Sequence, residues 1–465
     1  MSAVAAAIAT RVAEIVGDAN LLANPADMTA YAIGPLWPSA VVRPACAEET
    51  AEVIKFAAAE KLAVVACGAR TKLDVGLPPR KYDLAIDMTR LNRVAAYDPD
   101  DLTLSVEPGL PLQQLSAILA GRGQFLPLEV PFFSCATVGG TIASGMDSPL
   151  RQLYGTARDF VLGIEFVTGD GARAKSGGRV VKNVTGYDLH KLLIGSLGTL
   201  AVITKINFRT FPLPREARAF VASFDLAQRA LDLRARVSRS PLKPLTMEVS
   251  NPGVAGLLHS EAATRIEATP FPPNLLTSNG WAFTCGFAGT EKILERYETE
   301  LRAMAAQAGA TSVSVLQGDD VRAAFARKRE FVSIARESSP AATIIKAAVL
   351  PTRMQEILAA IESAANDESV PWAAMARGAG VIYAALLPDA LTEGARDRVA
   401  RAANRIQSAC EKTEGHATIP WCPFEWKSKL NVWGSDRGDW AQMRKLKSVF
   451  DPYGILSPGR FVGGL

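Results

Sequence analysis

Residues 179–203 read RVVKNVTGYDLHKLLIGSLGTLAVI. A polar turn passes into a short helix-like run, then a Gly-rich loop, then a β-branched tail. Residues 179–183 read as the end of a strand. Asp188 is a candidate helix N-cap, with Leu189, Leu192 and Leu193 as the buried face of the turn behind it. Gly195-Ser196-Leu197-Gly198-Thr199 then reverses the chain into a strand at 200–203. Glycine lets backbone N–H groups turn toward an anion and lets a flat ligand approach without a Cβ in the way. Taken alone, the loop reads as a tight turn between packed elements.

Working outward, two other places join a strand end to small residues. One is Cys67-Gly68-Ala69-Arg70-Thr71-Lys72; the other is ATVGGTIASG at 136–145. Neither G-x-x-x-x-G-K-[ST] nor a G-x-G-x-x-G after a first strand occurs, so the P-loop and Rossmann readings lack their motifs. Three such loops in one stretch of chain point to a nucleotide cofactor, although spacing alone does not name it.

The surrounding texture bounds the fold. At 465 residues the chain is too long for one core, and two or three domains are expected. Hydrophobic residues at 48% and charged residues at 21% describe an ordinary globular protein. A net charge of +4 without any Lys/Arg groove interleaved with aromatics argues against nucleic acid. The six cysteines are scattered with no C-x-x-C pair, which reads neither as a disulfide framework nor as an iron–sulfur or zinc site. The Ala-rich start carries Arg11 and Glu14 inside its apolar run, so it reads as a surface helix rather than a leader or a membrane span.

Up to about residue 215, apolar β-rich bursts alternate with amphipathic runs. Strands are expected at 62–67, at 101–109 up to a stop at Pro108-Gly109, and at 161–168, the last closed by Thr168-Gly169-Asp170-Gly171 into a hairpin. Helices are expected from Glu49-Thr50 and over 112–119. Pro212 and Pro214 mark the first boundary. From 216 to 415 a β-α-β-β-α-β cadence suits an antiparallel sheet with helices on one face. Residues 416–465, with Trp421, Trp426 and Trp433 close together, look like a segment docking back on the body. No internal repeat is legible.

The segments VVACGARTK, SVEPGLPLQQL, ATVGGTIASG, YGTARDFVLGIEFVTGDG, VVKNVTGYDLHKLLIGSLGTLAVIT and FDPYGILSPGRF resemble, in order, the FAD-binding domain shared by p-cresol methylhydroxylase, vanillyl-alcohol oxidase and D-2-hydroxyacid dehydrogenases. Within that group the likeness is greatest to the FAD-binding subunit of bacterial glycolate oxidase. The resemblance implies an α+β, PCMH-type fold in which two subdomains (1–215, core about 36–215) grip FAD. A smaller antiparallel α+β cap (216–415) follows, with 416–465 returning to the FAD domain. Carried over onto matching positions, the cofactor residues are Gly68, Ala69, Arg70, Thr71 and Lys72, then Thr137, Gly139, Gly140, Ala143, Ser144 and Gly145, and finally Gly198, Thr199 and Ile203. The family's first loop is usually a run of glycines, whereas Ala69 and Arg70 stand here. No His lies in or beside that loop, so the FAD is expected to be non-covalent.

Oxidising a small 2-hydroxyacid needs a base and a cation for the carboxylate. Of the three histidines, His190 falls on the short helix, His259 in a polar loop, and His416 ahead of the Trp-rich segment, where it is the candidate base. Arg329 in FARKREF (325–331) is the candidate carboxylate receiver; the plain alternative for Arg327-Lys328-Arg329 is a solvated helix face. Hydroxyacid dehydrogenases that this chain resembles carry an H-x-H metal pair, and there is no H-x-H here, so no metal ligands are assigned. The resemblance implies an FAD-dependent oxidoreductase acting within a complex with a second flavoprotein and an iron–sulfur subunit. The alternative is a self-sufficient glycolate or D-lactate dehydrogenase. A cytoplasmic protein, reaching a membrane only through its partners, is expected.

Overall fold

The computed structural model describes residues 3–179, 186–272, 275–276 and 280–465, with the helical backbone alone for residues 3–7. Of the strand end expected at 179–183, residues 180–183 lie outside the described residues, as do the motif positions 184 and 185.

The β-branched runs near the start form a small, largely parallel sheet. Strands β1 (Leu21–Leu22), β2 (Ala40–Val42), β3 (Val64–Cys67) and β4 (Leu84–Asp87) lie in the order β1-β2-β4-β3, antiparallel only between β1 and β2. Parallel strands must be covered on both faces, which is why β2 reads as an unbroken apolar run and β4 as one up to Asp87. Helices Ala3–Val16 and Ala47–Ala59 cover one face through Val12, Val53 and Ile54. Tyr31, Ile33 and Tyr82 cover the other. The second helix begins two residues before the expected start. Cys46 Sγ accepts from Glu49 N at 3.4 Å while the Glu49 carboxylate accepts from Ala45 N at 2.7 Å, a reciprocal cap built on a sulfur.

The next sheet is antiparallel throughout. Strands β5 (Val94–Asp98), β6 (Thr103–Val106), β8 (Val161–Thr168), β9 (Arg173–Gly177) and β10 (Ala201–Arg209) take the order β5-β6-β10-β8-β9, while β7 (Gln124–Phe125) pairs with β11 (Phe211–Pro212). The β8–β9 hairpin closes where the Thr168–Gly171 turn predicts it. Helices Leu112–Ala120 and Val138–Ser144 bury Leu115, Leu119 and Ile142 beneath this sheet. The short helix in the opening stretch is His190–Leu193, and its N-cap is Leu189 rather than Asp188. Asp188 instead holds Lys191 Nζ at 2.6 Å. Leu193 is buried, whereas Leu189 is exposed and His190 takes the buried place.

Beyond Pro214 lies the largest sheet: β12 (Ala217–Phe224), β13 (Thr246–Ser250), β14 (Trp281–Ala288), β15 (Ser312–Gln317), β16 (Thr343–Ala348), β17 (Trp372–Arg377), β18 (Val381–Leu386) and β19 (His416–Trp421). They run β15-β12-β14-β13-β17-β18-β16-β19. Two β-α-β-β-α-β units, each with its fourth strand beside its first, meet edge to edge through the antiparallel β13–β17 pair. The sequence carries no legible repeat, yet the topology repeats. The four long helices Ala227–Arg239, Glu291–Gln307, Met354–Asp367 and Glu393–Lys412 cover the outer face. The inner face packs on shorter helices and on Val75, Phe132, Met146 and Leu197 of the first half. No described helix is long and apolar enough to cross a membrane.

Candidate functional site

The Gly-rich loops converge because each needs the closeness that glycine allows. A Cβ on Gly68 would stand 2.1 Å from Thr137 Oγ1, so the loop after β3 lies directly on the cap of helix Val138–Ser144. Thr137 Oγ1 accepts from Gly140 N at 3.3 Å. A Cβ on Gly139 would stand 2.4 Å from Pro108 Cβ. At the other end of that helix Gly145 takes φ +59°, facing Gly195, and the third loop is stitched on by Gly195 N donating to Ile142 O and Leu197 N to Ala143 O.

Between these walls runs an open cleft. Its lining brings together Gly68–Lys72, Thr137, Gly139, Gly140, Ala143, Ser144, Gly198 and Ile203. Gly145 and Thr199 do not line it. Gly145 is the left-handed turn that ends the helix, and Thr199 is buried, its hydroxyl donating to Ser196 O at 2.7 Å. The reading of the sequence missed Met88, Pro108, Leu197 and Arg460 as lining residues. Pro108 reads there only as a strand stop, whereas the Ser-Pro-Gly-Arg turn was the available signal for Arg460.

Arg460 is buried, and its guanidinium donates to Val75 O at 2.9 Å and to Leu73 O, while its carbonyl accepts from Leu77 N and Trp433 Nε1. It braces the loop that continues from Lys72. Lys447 Nζ reaches Thr199 O and Leu456 O, both at 2.7 Å, and so ties the third loop to the C-terminal turn. In the first loop Arg70 adopts φ +64°, a place where glycine is usual. Its guanidinium lies 4.6 Å over the Tyr31 ring and 3.6 Å from the buried Asp87 carboxylate, turned onto the protein. Lys72 is different: burial pushes its ammonium down to about 8, against the pull of Cys135, Glu330 and Asp74, and its bonded partner is Thr71 Oγ1 at 3.1 Å. The backbone amides of the loops and Lys72 suit a pyrophosphate, and the glycine contacts leave room for flat rings.

A model of the FAD binding domain matches residues 38–177, and a model of the C-terminal domain of FAD linked oxidases matches residues 213–461. The chain belongs to the FAD-linked oxidase family. FAD is its cofactor, with the three-loop cleft fitting it, and its chemistry is that of an oxidoreductase. Glycolate oxidase subunit GlcD of Bacillus subtilis is 24% identical over 430 residues, covering 91% of this chain and 88% of that one. Glycolate oxidase subunit GlcE of Escherichia coli is 36% identical over 192 residues, 41% of this chain and 54% of that one. D-2-hydroxyglutarate dehydrogenase of Xanthomonas citri is 28% identical over 470 residues, 95% and 94% of the two chains. In fold, the chain matches p-cresol methylhydroxylase with TM-score 0.78 at 16% identity, covering 99% and 97% of the two chains.

The FAD-linked oxidase cap adds a charged patch that the sequence does not advertise. On its inner face Glu248 and Arg377 are cross-strand partners, as are Lys346 and Tyr383. Lys328 Nζ lies 2.7 Å from Glu248, and Arg377 reaches across the seam to Asp147 at 2.7 Å. Arg377 also stacks 4.8 Å over Tyr383, whose ring lies 5.9 Å from Lys346 Nζ. Burial would raise the Asp147 carboxyl, but Arg377, with Lys346 and Arg151 behind it, holds it below the usual carboxylate range. Asp147 follows Ser144 of the cleft by three residues in the chain.

Neither candidate for catalysis lines the cleft. Arg329 is held by Glu129 at 2.8 Å, with Glu330 at 3.5 Å and Glu267 at 3.8 Å, and lies 4.1 Å over the Phe133 ring. The solvated-face alternative for this cluster does not hold: Arg327 and Lys328 are each 3% exposed. His416 is half-buried at the start of β19; burial and then Arg437 lower its pKa. Of the other histidines, His190 Nδ1 faces Ser176 Oγ at 3.1 Å and His259 Nδ1 faces Ala255 O at 2.8 Å.

Proposed function

We propose that the chain is the FAD-binding subunit of a glycolate oxidase-like complex. In this reading it takes part in the oxidation of a small 2-hydroxyacid together with a second flavoprotein and an iron–sulfur subunit. It is a cytoplasmic protein brought to any membrane by those partners. What carries the reading is the pairing of the cleft with likeness to two differently named subunits of glycolate oxidase, GlcD along most of the chain and GlcE over 192 residues. Bound FAD supplies acceptance of a hydride from the hydroxyl-bearing carbon.

The chain's own residues would do the rest. Among the described residues of the inner patch, Lys328, Lys346, Arg377 and Arg151 face Glu248 and Asp147. That surplus of positive charge favours a carboxylate beside Lys346 and Tyr383. His416 and Arg329 are proposed as base and carboxylate receiver on their chemistry, while their position outside the cleft favours a subunit that depends on partners. The runner-up, a self-sufficient glycolate or D-lactate dehydrogenase, is supported by the full-length likeness to D-2-hydroxyglutarate dehydrogenase.

Turnover of the isolated chain on glycolate and D-lactate with an artificial acceptor separates the two, robust turnover overturning the partner-dependent reading. Co-purification from the native source should bring down a second flavoprotein and an iron–sulfur protein. On a confirmed activity, unchanged turnover in His416→Ala removes it as the base.

A further inference from the structure

A second cavity opens in the seam between the two halves, lined by Asp74 and Phe132 from one side and by Arg336, Ser333 and Lys427 from the other. Phe132 touches a lining residue of each space. Its ring lies 5.5 Å from Lys72 Nζ in the cofactor cleft, and 5.8 Å from the Arg336 guanidinium and 6.2 Å from the Trp421 ring on the cavity side. The backbone that presents this ring is in an unfavoured state, with φ +63°, where a bulky residue persists only if its surroundings over-determine it. The surroundings here come from the cap. The buried Glu330 carboxylate accepts from Phe132 N at 2.7 Å and Phe133 N at 3.0 Å, and is itself fixed by Ser333 Oγ at 2.6 Å.

We propose that Phe132 is a partition between the cofactor cleft and the interdomain cavity, that Glu330 holds it shut from the cap, and that a small carboxylic acid reaches the cleft where this ring stands. Cations stand on both sides of the ring, Arg336 in the cavity, where it is paired with Asp74, and Lys72 in the cleft. The identity of the acid rests on the hydroxyacid reading above; the partition itself does not. A ring whose own main-chain amides donate to a side-chain carboxylate of another domain moves when the domains shift slightly, without any change in the cleft walls.

The test is collisional quenching of the flavin fluorescence of the holoprotein by iodide, a small anion, with no substrate present. Phe132→Gly removes the ring and suits the left-handed backbone, so it is expected to fold and to raise the quenching constant severalfold, with faster release of FAD on dilution. Phe132→Tyr keeps a ring and is expected to quench as the parent does. Glu330→Gln keeps one acceptor for two N–H groups and is expected to fall between. An unchanged quenching constant in Phe132→Gly overturns the partition. A raised constant in Phe132→Gly with a parental value in Glu330→Gln overturns the clamp alone. Failure here leaves the hydroxyacid reading standing, since iodide reports access and not chemistry.

Discussion

At the scale of single residues, the cofactor cleft depends on atoms that are missing and on one charge that is unneutralised. Gly68→Ala places a methyl where Thr137 Oγ1 and Cγ2 already stand, at 2.1 and 2.9 Å. Both neighbours are fixed by the helix cap, so relief requires parting two loops at a cost of about 1–3 kcal/mol. Thermal unfolding should fall and FAD should co-purify substoichiometrically; a variant that retains full flavin would show that the loops part freely. Lys72 makes the second prediction. Its ammonium titrates near 8, so it is charged below that pH and neutral above it. Affinity of the apoprotein for FAD should therefore weaken as pH rises from about 7 to 9. In Lys72→Met that slope should flatten, as read by fluorescence titration. These glycines were legible as a pattern because a small residue at a strand end is a local signal. Arg70 was not, since a left-handed arginine turned toward Tyr31 and Asp87 depends on residues far away in sequence.

At the scale of elements, the amphipathic runs predict their helices and strands closely. ARAFVASF coincides with β12, WAFTCGFAG overruns β14 by Gly289, and KILERYETELRAMAAQAGA (292–310) overruns the helix Glu291–Gln307 by three residues. Periodicity works there because one face of each element meets a core and the other meets a different environment. It fails for the C-terminal turn, whose role is to supply hydrogen bonds. Val64 N donates to Ile455 O at 2.8 Å and Ser457 N donates to Val64 O at 2.7 Å, so the turn extends the edge of the first sheet. Arg460→Met would leave Leu73 O and Val75 O without their buried donor, a loss of about 1–3 kcal/mol. The expected outcome is earlier thermal release of flavin, followed by its fluorescence, with far-UV circular dichroism close to the parent at room temperature. Release at the parental temperature would show that water replaces the guanidinium.

At the scale of the molecule, the two halves are joined by charges that neither could keep buried alone. Asp147 comes from the FAD half and Arg377 from the cap, 2.7 Å apart. Asp147→Ala strands the guanidinium with Glu248 at 3.8 Å, and removing one member of a buried pair costs about 3–5 kcal/mol. Because the folded carboxyl is held below its unfolded value, this stability is present above about pH 4 and is lost as pH falls through the depressed folded value. Urea unfolding at pH 7 and pH 3 should show a smaller pH effect in Asp147→Ala than in the parent. What the amino-acid sequence determined by itself was local or carried by contiguous motifs: the strand–loop–helix rhythm, the three Gly-rich turns, and through those motifs the FAD fold. Only the tertiary structure decided that two units of like topology share one sheet, and that Lys328, Arg377 and Lys346 stand on its inner face. It alone set Phe132 near Lys72 and Arg336 with its amide held by Glu330. Propensity and periodicity act over a few residues and leave marks in the string of letters. A buried ion pair between positions 147 and 377, or a carboxylate at 330 capping amides at 132 and 133, acts only after the chain has brought them together.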